Sequence, residues 1–143
     1  IKHTFSPSDF RDYLKPGTVL IFPDDVMLYN FVDTNEKENL LILSTEATIT
    51  KRLQGWIDIY EWKYEIIVWT RRLLYYNLTA YSNIVYIEDA FGGEQFQYPI
   101  SIRSLDVLSS IAKNSTYRIT IISSSPTLEL FAKFSNAKII PIK

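Results

Sequence analysis

The sequence predicts an α/β fold: a three-layer, mostly parallel twisted sheet of five to six strands with helices on both faces. Three observations predict it. Short β-branched runs alternate with helical patterns of about ten residues, as right-handed βαβ crossovers require. The strand-like runs are apolar at successive positions rather than at every second one, which is the mark of strands covered on both sides. Finally, no repeat, charge block or low-complexity tract interrupts the 143 residues, a length suited to one domain spanning 1–143.

The elements follow in order. Thr18–Phe22 (TVLIF) comes after the turn pair Pro16-Gly17, is stopped by Pro23 and reads as a buried strand. Asp24 to Asp33 carries Val26, Leu28, Tyr29, Phe31 and Val32 behind two carboxylates, which suit the positive end of a short helix. Leu40–Ser44 is a second strand. Thr45 or Thr48 can cap the next helix, whose apolar stripe is Ile49, Leu53 and Trp56 or Ile57, with Gly55 near its end. Tyr64–Trp69 is the third strand, Arg71–Tyr81 a helix with Leu74, Leu78 and Tyr81 on one stripe, and Ile84–Ile87 the fourth strand. A helix over Arg103–Lys113 faces inward through Leu105, Leu108, Ile111 and Ala112, and Tyr117–Ile122 is the fifth strand. Ser125 as cap and Pro126 at the first helical position open the last helix, with the stripe Leu128, Phe131 and Ala132. Lys138–Ile142 ends the chain as an edge strand, because Pro141 cannot donate to a ladder.

Composition narrows the chemistry. Fifteen basic against 16 acidic side chains leave a net charge of −1, without the cationic surplus that a nucleic-acid or membrane-surface protein needs. With no Cys, disulfides, thiolate zinc sites and a Cys nucleophile are excluded, and a single His leaves carboxylates as the ligands for any metal. One Met and four Gly are a thermophile-like usage. No apolar run reaches the roughly 20 residues of a membrane span and no signal-peptide layout is present, so the expected location is cytoplasmic and no membrane partner is expected.

Ligands of parallel sheets bind where strands end, so the residues after each strand are the informative ones. Here they are Pro23-Asp24-Asp25, Thr45-Glu46, Thr70-Arg71, Glu88-Asp89 and Ser123-Ser124-Ser125. If their strands are adjacent, Glu46, Glu88 and Asp89 converge on a Mg²⁺ site; otherwise they begin loops and satisfy backbone N–H groups. His3, with Phe5 and Phe10, lies in an N-terminal arm, and the pair Gly92-Gly93 marks an exposed turn. The G-x-S-x-G pattern of a nucleophile elbow is absent around Ser123 to Ser125.

The order of segments resembles the RecA/KaiC-like ATPase superfamily over roughly residues 10 to 142. Leu14-Lys15-Pro16-Gly17-Thr18-Val19-Leu20-Ile21 is similar to the lead into the family's phosphate loop, and Leu41-Ile42-Leu43-Ser44-Thr45-Glu46 to the strand that ends in a water-activating Glu. Ile84-Val85-Tyr86-Ile87-Glu88-Asp89 resembles the Walker B strand and Ile119–Ser124 the sensor strand. The departure falls where the family carries G-x-x-x-x-G-K-[ST]. This chain has Pro23-Asp24-Asp25-Val26-Met27-Leu28, with no Gly or Lys and with two carboxylates where polyphosphate charge would sit. The resemblance therefore implies a degenerate domain, no cofactor and no ATPase activity, with Glu46, Glu88 and Asp89 as remnants.

Trp56, Trp62, Lys63, Trp69, Arg71 and Arg72 interleave aromatic and basic side chains, a mixture found in cores, in protein interfaces and on single-stranded nucleic-acid surfaces. The expected function is a non-catalytic, protein-binding accessory or assembly subunit, partnered by an active RecA-family ATPase or by its own copies. The alternatives are a carboxylate–Mg nuclease or phosphohydrolase and a nucleic-acid-binding accessory factor.

Overall fold

A computed structural model of the chain describes residues 7–32, 40–44, 46–88, 95–96, 102–114, 117–123 and 126–141. A 3-10 segment, Pro7–Tyr13, leads into strand β1 (Thr18–Phe22). Gly17 makes the entry turn with φ at +81°, and its carbonyl accepts the N–H groups of Ser82 and Asn83, both at 3.1 Å. Helix α1 (Asp25–Val32), strand β2 (Leu40–Ile42), helix α2 (Ile49–Tyr60) and strand β3 (Ile66–Thr70) follow. Then come a 3-10 segment (Arg71–Tyr75), β4 (Asn83–Glu88) and the two-residue strands β5 (Gln95–Phe96) and β6 (Ile102–Arg103), which pair antiparallel. Helix α3 (Ser104–Asn114), β7 (Arg118–Ser123), α4 (Leu128–Lys133) and β8 (Lys138–Pro141) complete the described chain.

Six strands form one parallel sheet in the order β2-β3-β1-β4-β7-β8. β1, β3 and β4 lie inside it, and almost every residue in them is buried, as their unbroken apolar runs require. From β1 the chain crosses over β3 to the β2 edge, then returns step by step in the opposite direction. Right-handed crossovers consequently set α1 on one face and α2, the Arg71–Tyr75 segment, α3 and α4 on the other. Ring contacts agree: Phe22 meets Phe10 and Phe31 on the α1 face, while Trp69 meets Tyr76 on the opposite face. The protein is thus α/β and three-layered, with Pro141 in the edge strand β8.

Three helical readings are corrected. Arg71–Tyr81 is not an α-helix: five residues form a 3-10 turn, Tyr76 is already extended, and Asn77 Oδ1 takes the Thr79 N–H at 3.1 Å. That side-chain bond competes with helix propagation. Leu74, Leu78 and Tyr81 are all buried, so the apolar content was right and its period was not. In α4 the cap is Thr127, whose Oγ1 accepts the Leu130 N–H at 3.3 Å, and Pro126 precedes the cap; Leu130 and Phe134 face inward while Leu128 and Phe131 are exposed. In α2 the capping residue is Thr48, one of the two candidates, but the buried positions are Gly55, Asp58 and Ile59. Thr45, Ser124, Ser125, His3, Phe5, Gly92 and Gly93 lie outside the described residues.

Candidate functional site

The chain reverses direction across the sheet at β1, so the carboxyl ends of β1 and β4 border the crevice where α/β sheets take ligands. Register lines up what stands there. Phe22 pairs with Thr70, Ile21 with Tyr86, and Glu88 with Ser123, so Arg71, Pro23, Glu88 and Ser123 form one row across β3, β1, β4 and β7. The row is buried and, apart from Pro23, polar: Arg71 is 2% exposed, Glu88 5% and Ser123 0%. Asp24 and Asp25 stand half-buried beside it.

β1 passes into α1 through Pro23 and Asp24 alone, and this turn sets the chemistry. The Asp24 carboxylate, through Oδ1, accepts the backbone N–H of Met27 at 2.8 Å, and its carbonyl accepts that of Leu28 at 3.3 Å. The protein's own anion therefore sits on the positive end of α1, where an anionic ligand would need free N–H groups. No glycine lies in the turn, so no Cα stands open for a phosphate to approach.

Glu46 is elsewhere. It follows β2, the edge strand, and three strand spacings, about 14 Å, separate that strand from β4 and Glu88. It lines a separate cleft of about 380 Å³ between β2 and α2, together with Ser44, Lys51, Gln54 and Asp58. Glu46 and Glu88 are not brought together, and Asp89 lies outside the described residues. Among the described residues no group of three or more His, Asp or Glu could hold a metal ion. The Asp58 carboxylate in the cleft is engaged, accepting from Gln54 Nε2 at 2.9 Å and Lys63 Nζ at 3.4 Å.

The aromatic and basic group divides. Trp69 (1% exposed) and Arg71 belong to the interior and are removed from any surface. Trp56, Trp62, Lys63 and Arg72 are exposed. The larger feature is the apolar stripe of α2, which lies in water and is continued by Tyr60: Ile49 is 77% exposed, Leu53 58%, Trp56 45% and Tyr60 65%. Spaced at i, i+4, i+7 and i+11, these four make one straight apolar seam about 16 Å long on the outer side of α2. Trp56 and Tyr60 stack on each other with centroids 6.1 Å apart.

Gly55 explains the orientation, because on the inner side α2 lies so close to β2 that a Cβ there would come within 2.7 Å of Leu43 Cδ2. Tyr60, four positions beyond Trp56, extends the seam by a turn. Arg52 borders the seam by its place on the helix, and Arg52 and Arg72 both stand near enough to the Tyr76 phenol to favour its ionised form, so both cations lie on the Tyr76 side of α2. Neither takes part in an ion pair among the described residues.

Among the described residues no helix is long and apolar enough to cross a membrane. Compared with known proteins, the chain matches no family model and no curated protein.

Proposed function

We propose that this chain is a non-catalytic accessory or assembly subunit of RecA-superfamily type that works by binding protein: an active RecA-like ATPase or a second copy of the chain. The carrying observation is the apolar seam Ile49–Leu53–Trp56–Tyr60, which leaves four large side chains of one helix in water. Monomeric proteins scatter such residues singly, whereas a contiguous patch marks an interaction surface. The Asp24 cap supports the non-catalytic half of the reading, since the site that would cradle phosphates is filled by a carboxylate. A base such as Glu46 has nothing to act on without a bound phosphoryl group.

Calorimetric titration with Mg-ATP tests the first half: no saturable heat is expected up to millimolar nucleotide, and micromolar binding, or phosphate release lost in Glu46→Gln, overturns it. Co-purification from native cells tests the second. One partner should be recovered with the natural chain and lost with Leu53→Asp; retention by the variant overturns α2 as the working surface.

A further inference from the structure

We infer that the α2 seam receives an amphipathic helix of a different protein, one whose apolar stripe lies along Ile49, Leu53, Trp56 and Tyr60 and whose edge facing Arg52 and Arg72 carries Asp or Glu. The inference rests on the reading of α2 as the working surface and adds what covers it.

The seam has the geometry of one helix waiting for another. Its four residues recur at the alternating four- and three-residue spacing that lets a second helix pack nearly parallel to the first over their full length. An extended peptide would match a period of two, and β2, the nearby sheet edge, is only three residues long.

The charges then select among helices. Arg52 is rotated about 70° from the centre of the seam, on the side toward Arg72, and Ile57 lies about as far on the other side. The Arg52 side thus has two cations near it, Arg52 on the edge itself and Arg72 beside the Tyr76 phenol, and the opposite edge has Thr50 and Ile57. A second copy of this chain does not answer that pattern. Packed antiparallel about a two-fold axis, the arginine edge meets itself, and like charges face one another. Packed parallel, Arg52 meets Thr50 and Ile57, with Glu61 about two and a half turns away. A partner with carboxylates along one edge meets both guanidiniums, steering association and setting register. Single-stranded nucleic acid would also offer anions, but Ile49 and Leu53 give bases no ring to stack on, and the chain's net charge of −1 gives no long-range pull.

The test uses the full 143-residue chain. The probes are fluorescently labelled helical peptides of about five turns with a leucine stripe at heptad spacing, flanked in one series by Glu and in the other by Lys. A labelled oligothymidine completes the set. By fluorescence anisotropy the Glu-flanked peptide should bind and the Lys-flanked one should not. The double variant R52E/R72E should weaken the Glu peptide by at least about tenfold and gain affinity for the Lys peptide. That gain cannot arise from misfolding. Leu53→Asp should abolish binding with an unchanged melting curve.

The inference is overturned by no binding of the Glu peptide, by equal binding of the two peptides, by preferred binding of oligothymidine, or by a concentration-dependent dimer of the chain that Leu53→Asp dissolves. Mg-ATP binding with peptide selectivity intact would sink the non-catalytic role alone. Loss of selectivity with ATP still unbound, and with the native partner still released by Leu53→Asp, would sink this inference alone.

Discussion

Trp62 holds a backbone conformation that is costly for any residue with a Cβ, with φ at +51°. It sits just past α2, where its N–H donates to the Ile59 carbonyl at 3.2 Å and the next N–H, of Lys63, to Asp58 at 2.9 Å. These two bonds make a Schellman ending, a position that normally takes glycine. With the ring removed in both cases, Trp62→Gly should be more stable than Trp62→Ala by about 1 kcal/mol in chemical denaturation, because only the alanine keeps the left-handed strain. Such strain with a half-exposed indole is in keeping with a side chain kept for the α2 surface. Tyr81 is the opposite case, buried with its hydroxyl donating to the Tyr64 carbonyl at 2.7 Å. Burial pushes the phenol up from 10.0 to about 12. In the unfolded chain it ionises first, so its contribution is complete below about pH 10 and is lost as pH rises toward about 12. Tyr81→Phe should flatten that alkaline limb in a series of thermal melts and lower stability near pH 7 by about 1 kcal/mol.

At the scale of elements, helix positions were easier to read than helix faces. Thr48 was legible as one of two candidate caps, and α3 was legible to within one residue at each end, with Leu105 and Leu108 facing the core. The stripe of α2 was equally regular, yet it points to water. Periodicity reports that a helix has an apolar face and is silent on whether that face meets the sheet or a partner. The inner side is set by Gly55, and Gly55→Val should destabilise the fold by about 1–3 kcal/mol, since the new side chain runs into buried Leu43. Across the same face, charged side chains tie α4 to the start of α3. Arg103 donates to Glu129 at 2.8 and 3.2 Å, and Lys133 reaches both Glu129, at 3.0 Å, and Asp106. The hydrogen bond from Arg103, then that from Lys133, lowers the Glu129 carboxyl from 4.5 to about 2. Its stabilising effect is therefore present above about pH 4.5 and fades as pH falls toward about 2. Glu129→Gln should remove that acid limb from the melting profile while leaving the alkaline limb due to Tyr81 in place.

Over the whole molecule, strand order decides which sequence neighbours become spatial ones. The residues that end the strands were legible one by one, but their grouping was not. With β3 and β1 between β2 and β4, Glu46 is set apart from Glu88, and Arg71 comes into line with Glu88 and Ser123. That arrangement weighs against a carboxylate–metal enzyme built on Glu46 and Glu88. The amino-acid sequence by itself determined the α/β class, the buried central strands and the acidic, glycine-free turn after β1. Each of these follows from local patterns: apolar runs, caps, and the absence of Gly and Lys between Phe22 and Leu28. Only the tertiary structure decided that Trp69 and Arg71 are interior, that Glu46 stands at the sheet edge and that the α2 stripe faces outward. The physical reason is that burial and proximity depend on long-range pairing of strands and on how closely a helix can approach the sheet. No local run of residues encodes either one alone.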